Sequence, residues 1–176
     1  MNYLVCILCT AILFVGCKDG TESNSDATTK AANDLFAKNS EIVMANIRGW
    51  EAENLDYSMY AEDFVMRETG FGAERDSLNL GEMKEFDRQI WDSYDFKVVS
   101  DIVLLPGVHR DSKEMDGSVR HYIDWEVTHP ATDSTEARSG VIKLYESYDF
   151  DENGKISYQQ VYGDFTGLMN HLMGKE

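Results

Sequence analysis

The sequence predicts an α+β domain in which helices come first and a meander of antiparallel strands follows. In the first half of the chain, apolar residues recur at spacings of three, four and seven, which is the pattern of one covered helix face. From residue 95 onward the spacing changes to two, the period of a strand with one covered face. This order favours a fold in which the helices pack on one face of a curved sheet.

Two helices are predicted at the start of the domain. The first covers residues 33–54, because its apolar residues form one stripe of an amphipathic helix. The stripe consists of Leu35, Phe36, Ile42, Val43, Ile47 and Trp50. A short second helix is predicted over residues 55–62, and it runs into a strand over residues 64–68.

A long third helix is predicted over residues 79–94. The run Gly70-Phe71-Gly72 indicates a turn before it. Asn79 followed by Glu82 is typical of a helix start, because each side chain can accept a hydrogen bond from the other residue's backbone N–H. The apolar stripe that follows consists of Met83, Phe86, Ile90, Trp91 and Tyr94.

Four strands are predicted after the helices. They cover residues 95–104, 119–127, 138–148 and 155–164. Pro106-Gly107 ends the first strand, and Asn153-Gly154 predicts a hairpin between the last two. The same hairpin run resembles part of an EF-hand calcium loop, but Gln160 stands where that loop needs a bidentate carboxylate. The hairpin is therefore preferred. The histidines lack ligand spacing, so no metal site is predicted.

Residues 1–16 predict a bacterial lipoprotein signal peptide that ends directly before Cys17. The apolar run is too short to span a bilayer permanently, and Val15-Gly16-Cys17 resembles the end of a lipoprotein signal. An ordinary secretory signal or a buried apolar strand are the alternatives. Lipid on Cys17 would anchor the protein in the bacterial cell envelope, at the outer membrane with a periplasmic or cell-surface position.

Residues 17–32 predict a flexible tether, and residues 33–176 predict a single domain. The tether is polar and has no apolar periodicity. The formal net charge is −16, and no lysine or arginine cluster interrupts the acidity. Such a charge repels phosphate backbones, so nucleic-acid binding is not expected. No phosphate-binding loop or nucleophile motif is present in the sequence, and no cofactor is predicted.

Two local motifs and the order of elements resemble the nuclear-transport-factor-2-like superfamily, which includes SnoaL-like polyketide cyclases. The first motif is Tyr60-Ala61-Glu62-Asp63-Phe64-Val65, and the second is the hairpin over residues 148–156 followed by Tyr162-Gly163-Asp164. The resemblance covers residues 33–172. It implies a cystatin-like α+β roll, in which a cone-shaped mixed sheet and three N-terminal helices enclose an apolar pocket. It also implies a homodimer that forms through the outer sheet face.

The resemblance and the strand pattern together nominate Glu68 and His121 as catalytic residues. Glu68 stands where ketosteroid isomerases carry the aspartate that abstracts a proton. His121 lies on the apolar face of its predicted strand and therefore points into the core or the pocket, where related enzymes use a histidine near an acid. A salt-bridged Glu68 and a core histidine are the alternatives. The pocket residues expected from the same argument are Trp50, Tyr60, Trp125, Tyr162 and Asp164.

Two functions follow from these expectations. In the first, a lipid-anchored protein binds a small apolar or amphipathic ligand in its pocket without chemistry. In the second, Glu68 and His121 face each other across the pocket and act as acid and base in a cofactor-independent isomerase, dehydratase or cyclase reaction. The second function requires that both side chains reach one pocket volume.

Overall fold

The structure is a computed structural model that describes residues 22–175. Within these residues, helices α1 (Glu22–Glu51), α2 (Leu80–Trp91) and α3 (Phe165–Leu172) accompany one sheet of seven strands. The strands are β1 (Tyr60–Arg67), β2 (Ser77–Asn79), β3 (Asp95–Val98), β4 (Val103–Val108), β5 (Met115–His129), β6 (Arg138–Phe150) and β7 (Ile156–Tyr162). The sheet is curved, mixed and unclosed, which confirms the predicted α+β class and cone-shaped architecture.

The sheet has the order β2-β1-β7-β6-β5-β3, with β4 also paired to β5. Only the β1–β7 pair is parallel among these strands. Two strands pair with the same edge of the long strand β5. Strand β3 pairs with residues 125–128 of β5, and β4 pairs with residues 115–122. Strands β5, β6 and β7 therefore form the centre of the sheet.

The hydrophobic core lies between α1 and the inner face of the sheet. Val43 and Ile47 of α1 are at most 3% exposed, and so are Ile123 of β5 and Ile156 of β7. Alternate residues of β5 are buried, as the period of two predicts for a strand with one covered face. The predicted stripe of the first helix and the predicted apolar face of β5 are the two surfaces that meet here.

Helix α1 begins at Glu22, and not at residue 33 as predicted. Residues 22–32, which the polar composition assigned to the flexible tether, are therefore helical. Three alanines lie in this stretch, and alanine has the highest helix propensity. Lys30 also pairs with Asp34 one turn later, at 2.6 Å. The described side chains of this first part are mostly exposed, so it has no apolar stripe that the sequence argument could detect.

The predicted second helix over residues 55–62 is wrong. A single 3₁₀ turn at Tyr57–Met59 stands there, and β1 begins at Tyr60. The side chain of Asp56 accepts a hydrogen bond from the backbone N–H of Ser58, at 2.9 Å, which starts this short turn. Beyond the turn, pairing with β7 draws the backbone into the sheet, so tertiary contacts override the local pattern.

The predicted strand over residues 95–104 is two strands, β3 and β4, and β4 continues past Pro106 to Val108. Proline is tolerated there because the pairing with β5 is irregular between Pro106 and Val108. Strand β2 and helix α3 were not predicted. The third helix is accordingly at the C-terminal end of the domain, and not among the N-terminal helices.

Two predictions from local sequence are confirmed. The capping box at the start of α2 is present: Asn79 Oδ1 accepts from the N–H of Glu82, and Glu82 Oε2 accepts from the N–H of Asn79, both at 3.0 Å. The predicted hairpin joins β6 and β7, and Gly154 at its turn has a φ of +74°. Glycine adopts this left-handed conformation without steric cost.

Candidate active site

A cavity of about 150 Å³ lies between the three helices and the inner face of the sheet. Its wall is mostly apolar. It includes Trp50 of α1, Met83 and Ile90 of α2, Trp125 of β5, Leu144 of β6 and Leu168 of α3. A protein cavity of about this volume holds one benzene ring. The enclosed space therefore accommodates an apolar group of about that size.

Three aromatic rings form a rigid wall of this cavity, called here the aromatic wall: Trp50, Phe96 and Trp125. The ring centroids of Trp50 and Phe96 are 4.4 Å apart, and those of Trp50 and Trp125 are 5.6 Å apart. Both pairs meet edge to face, an arrangement that is favourable for aromatic rings. The rings fix one another and leave little freedom to the cavity shape on this side.

Asp87 of α2 brings a carboxylate to the cavity although only 4% of the residue is exposed. Its Oδ2 accepts a hydrogen bond from the hydroxyl of Tyr57 at 2.9 Å, and its Oδ1 accepts a longer one from the indole N–H of Trp50 at 3.4 Å. Burial raises the pKa of Asp87 to about 6, and these two hydrogen bonds limit the rise. The carboxyl group therefore changes its protonation state close to neutral pH.

Glu146 of β6 brings a second carboxylate to the cavity. Its Oε2 accepts from the hydroxyl of Tyr148 at 2.8 Å and from the amide Nε2 of Gln159 at 3.2 Å. Nε2 of His121 lies 3.6 Å from the same oxygen, beyond ordinary hydrogen-bond length but within the range of an ion pair. The ring of His121 stacks on Tyr148, with centroids 5.6 Å apart.

The environment of Glu146 favours its ionised form. Burial acts to raise the pKa of this carboxyl, but the nearby His121 ring opposes it, together with the donors Tyr148 and Gln159. The net direction is a lowered pKa. Burial and the charge of Glu146 raise the pKa of the Tyr148 hydroxyl well above its usual value, so this group remains a donor.

Tyr60 extends this network to a further point on the cavity wall. The amide Nδ2 of Asn46 donates to the hydroxyl oxygen of Tyr60, while Oδ1 of Asn46 lies 3.3 Å from the hydroxyl oxygen of Tyr148. Because the Tyr60 oxygen accepts this bond, its own proton is available to an acceptor in the cavity. Burial raises the pKa of Tyr60 far above its usual value, so the hydroxyl stays protonated.

Three of the five predicted pocket residues line the cavity: Trp50, Tyr60 and Trp125. The other two lie elsewhere. Tyr162 is 49% exposed at the end of β7, where its hydroxyl accepts from Gln160. Asp164 is the N-cap of α3 and accepts from the N–H of Gly167 at 2.9 Å. Its predicted place on the last strand is wrong, because that strand ends at Tyr162 and a helix follows.

Glu68 and His121 do not face each other across the cavity. Glu68 follows the last residue of β1 and lines a separate surface groove with Arg75 and Glu82. His121 is fully buried behind Glu146 and does not line the cavity itself. The acid that His121 contacts is therefore Glu146, and the predicted pairing of His121 with Glu68 is corrected accordingly.

Asp87 and Glu146, the two acids among the described residues that line the cavity, were not predicted from the sequence. Both interrupt an apolar pattern. Asp87 lies four residues after Met83 and three before Ile90, on the covered stripe of α2. Glu146 continues the inward face of β6, where alternate residues such as Leu144 are buried. Both acids stand at positions where the helix or strand period predicts a buried apolar residue. Because an unpaired buried charge is costly, an acid at such a position indicates a functional or paired carboxylate.

Several solved structures share this fold. A candidate polyketide cyclase from Pseudomonas putida has a TM-score of 0.59 at 15% identity, over 76% of this chain and 97% of that one. A phenazine biosynthesis-related protein from Pseudomonas aeruginosa has a TM-score of 0.56 at 14% identity, over 82% and 90%. BvnE pinacolase from Penicillium brevicompactum has a TM-score of 0.57 at 10% identity, over 81% and 94%. Neither a protein-family model nor a curated protein matches the sequence.

The fold is therefore the nuclear-transport-factor-2-like α+β cone, as the sequence resemblance implies. At these low identities the likeness establishes the fold and not an activity, since this architecture hosts many functions. Fold and site together define a cone-fold protein with an apolar cavity that two carboxylates line. Cys17, the predicted lipidation site, lies outside the described residues, as does the signal peptide over residues 1–16.

Proposed function

We propose that the chain binds a small molecule whose apolar body is about one ring in size, and catalyses proton transfer on it without a cofactor. The observation that carries this proposal is that Asp87 and Glu146, from different elements, line one apolar cavity. Carboxylates whose environments push their pKa values in opposite directions are typical of acid–base sites. A candidate polyketide cyclase and a pinacolase share the fold, which supports a reaction over binding alone.

Asp87 is the residue that exchanges the proton. With a pKa of about 6 it is mostly ionised at neutral pH, yet it remains basic enough to accept a proton from a substrate C–H bond. The electron pair of that bond shifts toward an adjacent carbonyl, whose oxygen gains negative charge. Protonated Asp87 then returns the proton at another atom, and the product is an isomer of the substrate. The hydrogen bonds from Tyr57 and Trp50 hold the carboxylate in place during both transfers.

Tyr60 stabilises the negative charge that develops on the substrate oxygen. Its hydroxyl donates to this oxygen, and a donor fixed beforehand in an apolar site is the usual source of such stabilisation. Asn46 donates to the Tyr60 oxygen and is itself in contact with the hydroxyl of Tyr148. The position of the donor is therefore set by the buried network that Glu146 anchors.

The proposal predicts deuterium exchange into ring-sized ketones. In D₂O, the full-length chain is expected to exchange the α-hydrogens of cyclohexanone or acetophenone, followed by proton NMR. The variant Asp87→Asn is expected to be slower by roughly 100-fold or more, the range for loss of a general base. Asp63→Asn is the matched control, because Asp63 is an exposed carboxylate of β1 outside the cavity.

Two results would contradict the proposal. Equal exchange rates in the wild type and in Asp87→Asn would remove Asp87 from the reaction. Binding of both ketones without any exchange would reduce the function to ligand binding. A loss of exchange in Asp63→Asn as well would point to general damage, which circular dichroism of the three proteins detects.

We also propose that lipid on Cys17 anchors the protein in a bacterial envelope. None of the helices within residues 22–175 is long and apolar enough to cross a membrane. In a bacterial host, Cys17→Ala is expected to move the protein from the membrane fraction to the soluble fraction. Cys6→Ala and Cys9→Ala are matched controls that leave it on the membrane, since both residues precede the predicted cleavage point. Retention of a cleaved Cys17→Ala chain in the membrane fraction would contradict lipid anchoring at this residue, and the mass of the chain shows whether the signal was removed.

A further inference from the structure

Among the described residues, only one of the two oxygens of the Glu146 carboxylate has polar partners. Tyr148, Gln159 and His121 all approach Oε2. Within residues 22–175, no hydrogen bond or ion pair involves Oε1. Glu146 is 7% exposed and lines the cavity. A buried carboxylate with three partners on one oxygen and none on the other offers an acceptor to a ligand.

The side-chain amide of Gln159 also has polar partners at one end only. Its Nε2 donates to Glu146 at 3.2 Å and to the Tyr148 hydroxyl at 3.1 Å, and a carboxylate can only accept, so this orientation of the amide is fixed. Its Oε1 has no hydrogen-bond partner among the described residues. Gln159 is 8% exposed and lines the cavity beside Glu146. A ligand donor at this end of the cavity therefore has the free oxygen of Glu146 before it, with the amide of Gln159 as its neighbour.

The charged groups of the cavity have one sign. Asp87 and Glu146 are the only ionisable side chains other than tyrosines among the described residues that line it, so lysine, arginine and histidine are absent from the wall. The whole chain has a formal net charge of −16. An anionic ligand would meet two carboxylates in an environment of low polarity, which is unfavourable by Coulomb's law. A cationic ligand would meet compensating charge.

The aromatic wall suits the apolar body of such a ligand. Two of its three rings are tryptophans, Trp50 and Trp125. Large aromatic side chains supply much apolar contact area in a fixed geometry. A ligand with an apolar ring and one cationic group therefore fits both parts of the cavity.

We infer that the ligand of this cavity carries a protonated amine, which donates to Oε1 of Glu146 while its apolar body lies against the aromatic wall. The inference rests on the proposed function, because it takes the cavity as the substrate site. An ammonium group has three donors and no acceptor, which suits a carboxylate oxygen that can only accept. Asp87, on α2, remains available for the proton transfer. Glu146 thus binds the substrate and selects for amines.

Three ring-sized ligands that differ in charge test the inference. Benzylamine is cationic, benzyl alcohol is neutral and benzoate is anionic, while their apolar bodies are alike. By isothermal titration calorimetry at neutral pH, the full-length chain is expected to bind benzylamine about tenfold or more tightly than benzyl alcohol, as a charge-assisted hydrogen bond provides. Benzoate is expected to bind most weakly.

The variant Glu146→Gln separates the charge from the shape of the site. It is expected to bind benzylamine only as tightly as benzyl alcohol, with benzyl alcohol unchanged. Glu152→Gln is the matched control, since it removes one charge from the exposed hairpin and should keep the preference. If Glu146→Gln does not fold, the comparison of three ligands on the wild type still decides.

Each contrary outcome has a distinct meaning. Benzyl alcohol or benzoate binding as tightly as benzylamine would overturn the amine inference and leave the proposed function in place. Equal preference in Glu146→Gln and in the wild type would remove Glu146 as the anchor and overturn the inference as stated. No binding of any of the three ligands would overturn the amine inference together with the ring-sized site on which the proposed function depends.

Discussion

Replacing His121 with leucine is expected to lower the free energy of unfolding by about 3–5 kcal/mol at neutral pH, the cost of removing the polar neighbour of a buried carboxylate. His121 is fully buried, and its Nε2 lies 3.6 Å from Oε2 of Glu146. Leucine fills a similar volume, so the loss comes mainly from the charge that remains on Glu146. Chemical denaturation of both proteins measures this difference.

A second substitution tests whether the loss is electrostatic. In the double variant His121→Leu/Glu146→Gln, no charge is left without its partner, while the glutamine oxygen can still accept from Tyr148. The double variant is therefore expected to be more stable than His121→Leu alone, a coupling that neighbouring residues typically show. If the double variant instead loses the sum of the two single losses, the two residues act independently and their contact contributes nothing to stability.

The stability that the pair provides also depends on pH. The pKa of Glu146 in the folded protein lies below its ordinary value of 4.5, so folding favours the ionised form. This contribution is fully present above about pH 4.5 and is lost as the pH falls through the folded value. In His121→Leu the lowering effect of His121 is absent, so burial raises the pKa of Glu146 relative to the wild type. The stability difference between this variant and the wild type should therefore shrink toward acidic pH.

The elements that the sequence predicted correctly depend on local interactions. The start of α2 depends on a reciprocal pair three residues apart, Asn79 and Glu82, and the β6–β7 hairpin depends on Asn153-Gly154. In contrast, the division into β3 and β4 depends on how each pairs with the long strand β5, far away in sequence. Strand β2 has three residues and one partner, too short for an alternation to be visible.

The candidate site was predictable in its apolar part and not in its polar part. Trp50 and Trp125 follow from the periodic patterns of a helix and a strand, since both lie on covered faces. Glu68 was placed by analogy along the chain, but β1 ends at Arg67, so the residue lies beyond the strand and outside the cavity. The contacts of Asp87 with Tyr57 and Trp50 join three separate segments, which no local pattern encodes.

The stability of the variant Asp87→Asn, measured relative to the wild type, is expected to be higher at alkaline pH than at acidic pH. Burial raises the pKa of Asp87 from 3.8 to about 6, so the folded state favours the protonated form. The wild type therefore has the full stability from this group below about pH 3.8 and loses it as the pH rises through about 6. At 1.36 kcal/mol per pKa unit, the loss amounts to roughly 3 kcal/mol.

Asparagine has no such titration, so the difference in unfolding free energy between the variant and the wild type isolates the Asp87 carboxyl from every other titrating group. Chemical denaturation at about pH 4 and about pH 8 should show this difference shifting by up to roughly 3 kcal/mol in favour of the variant. Asp63→Asn should show little shift, because Asp63 is exposed. A constant difference for Asp87→Asn would mean that water reaches Asp87 freely. The cavity would then be too wet for the proton transfer that this residue is proposed to perform.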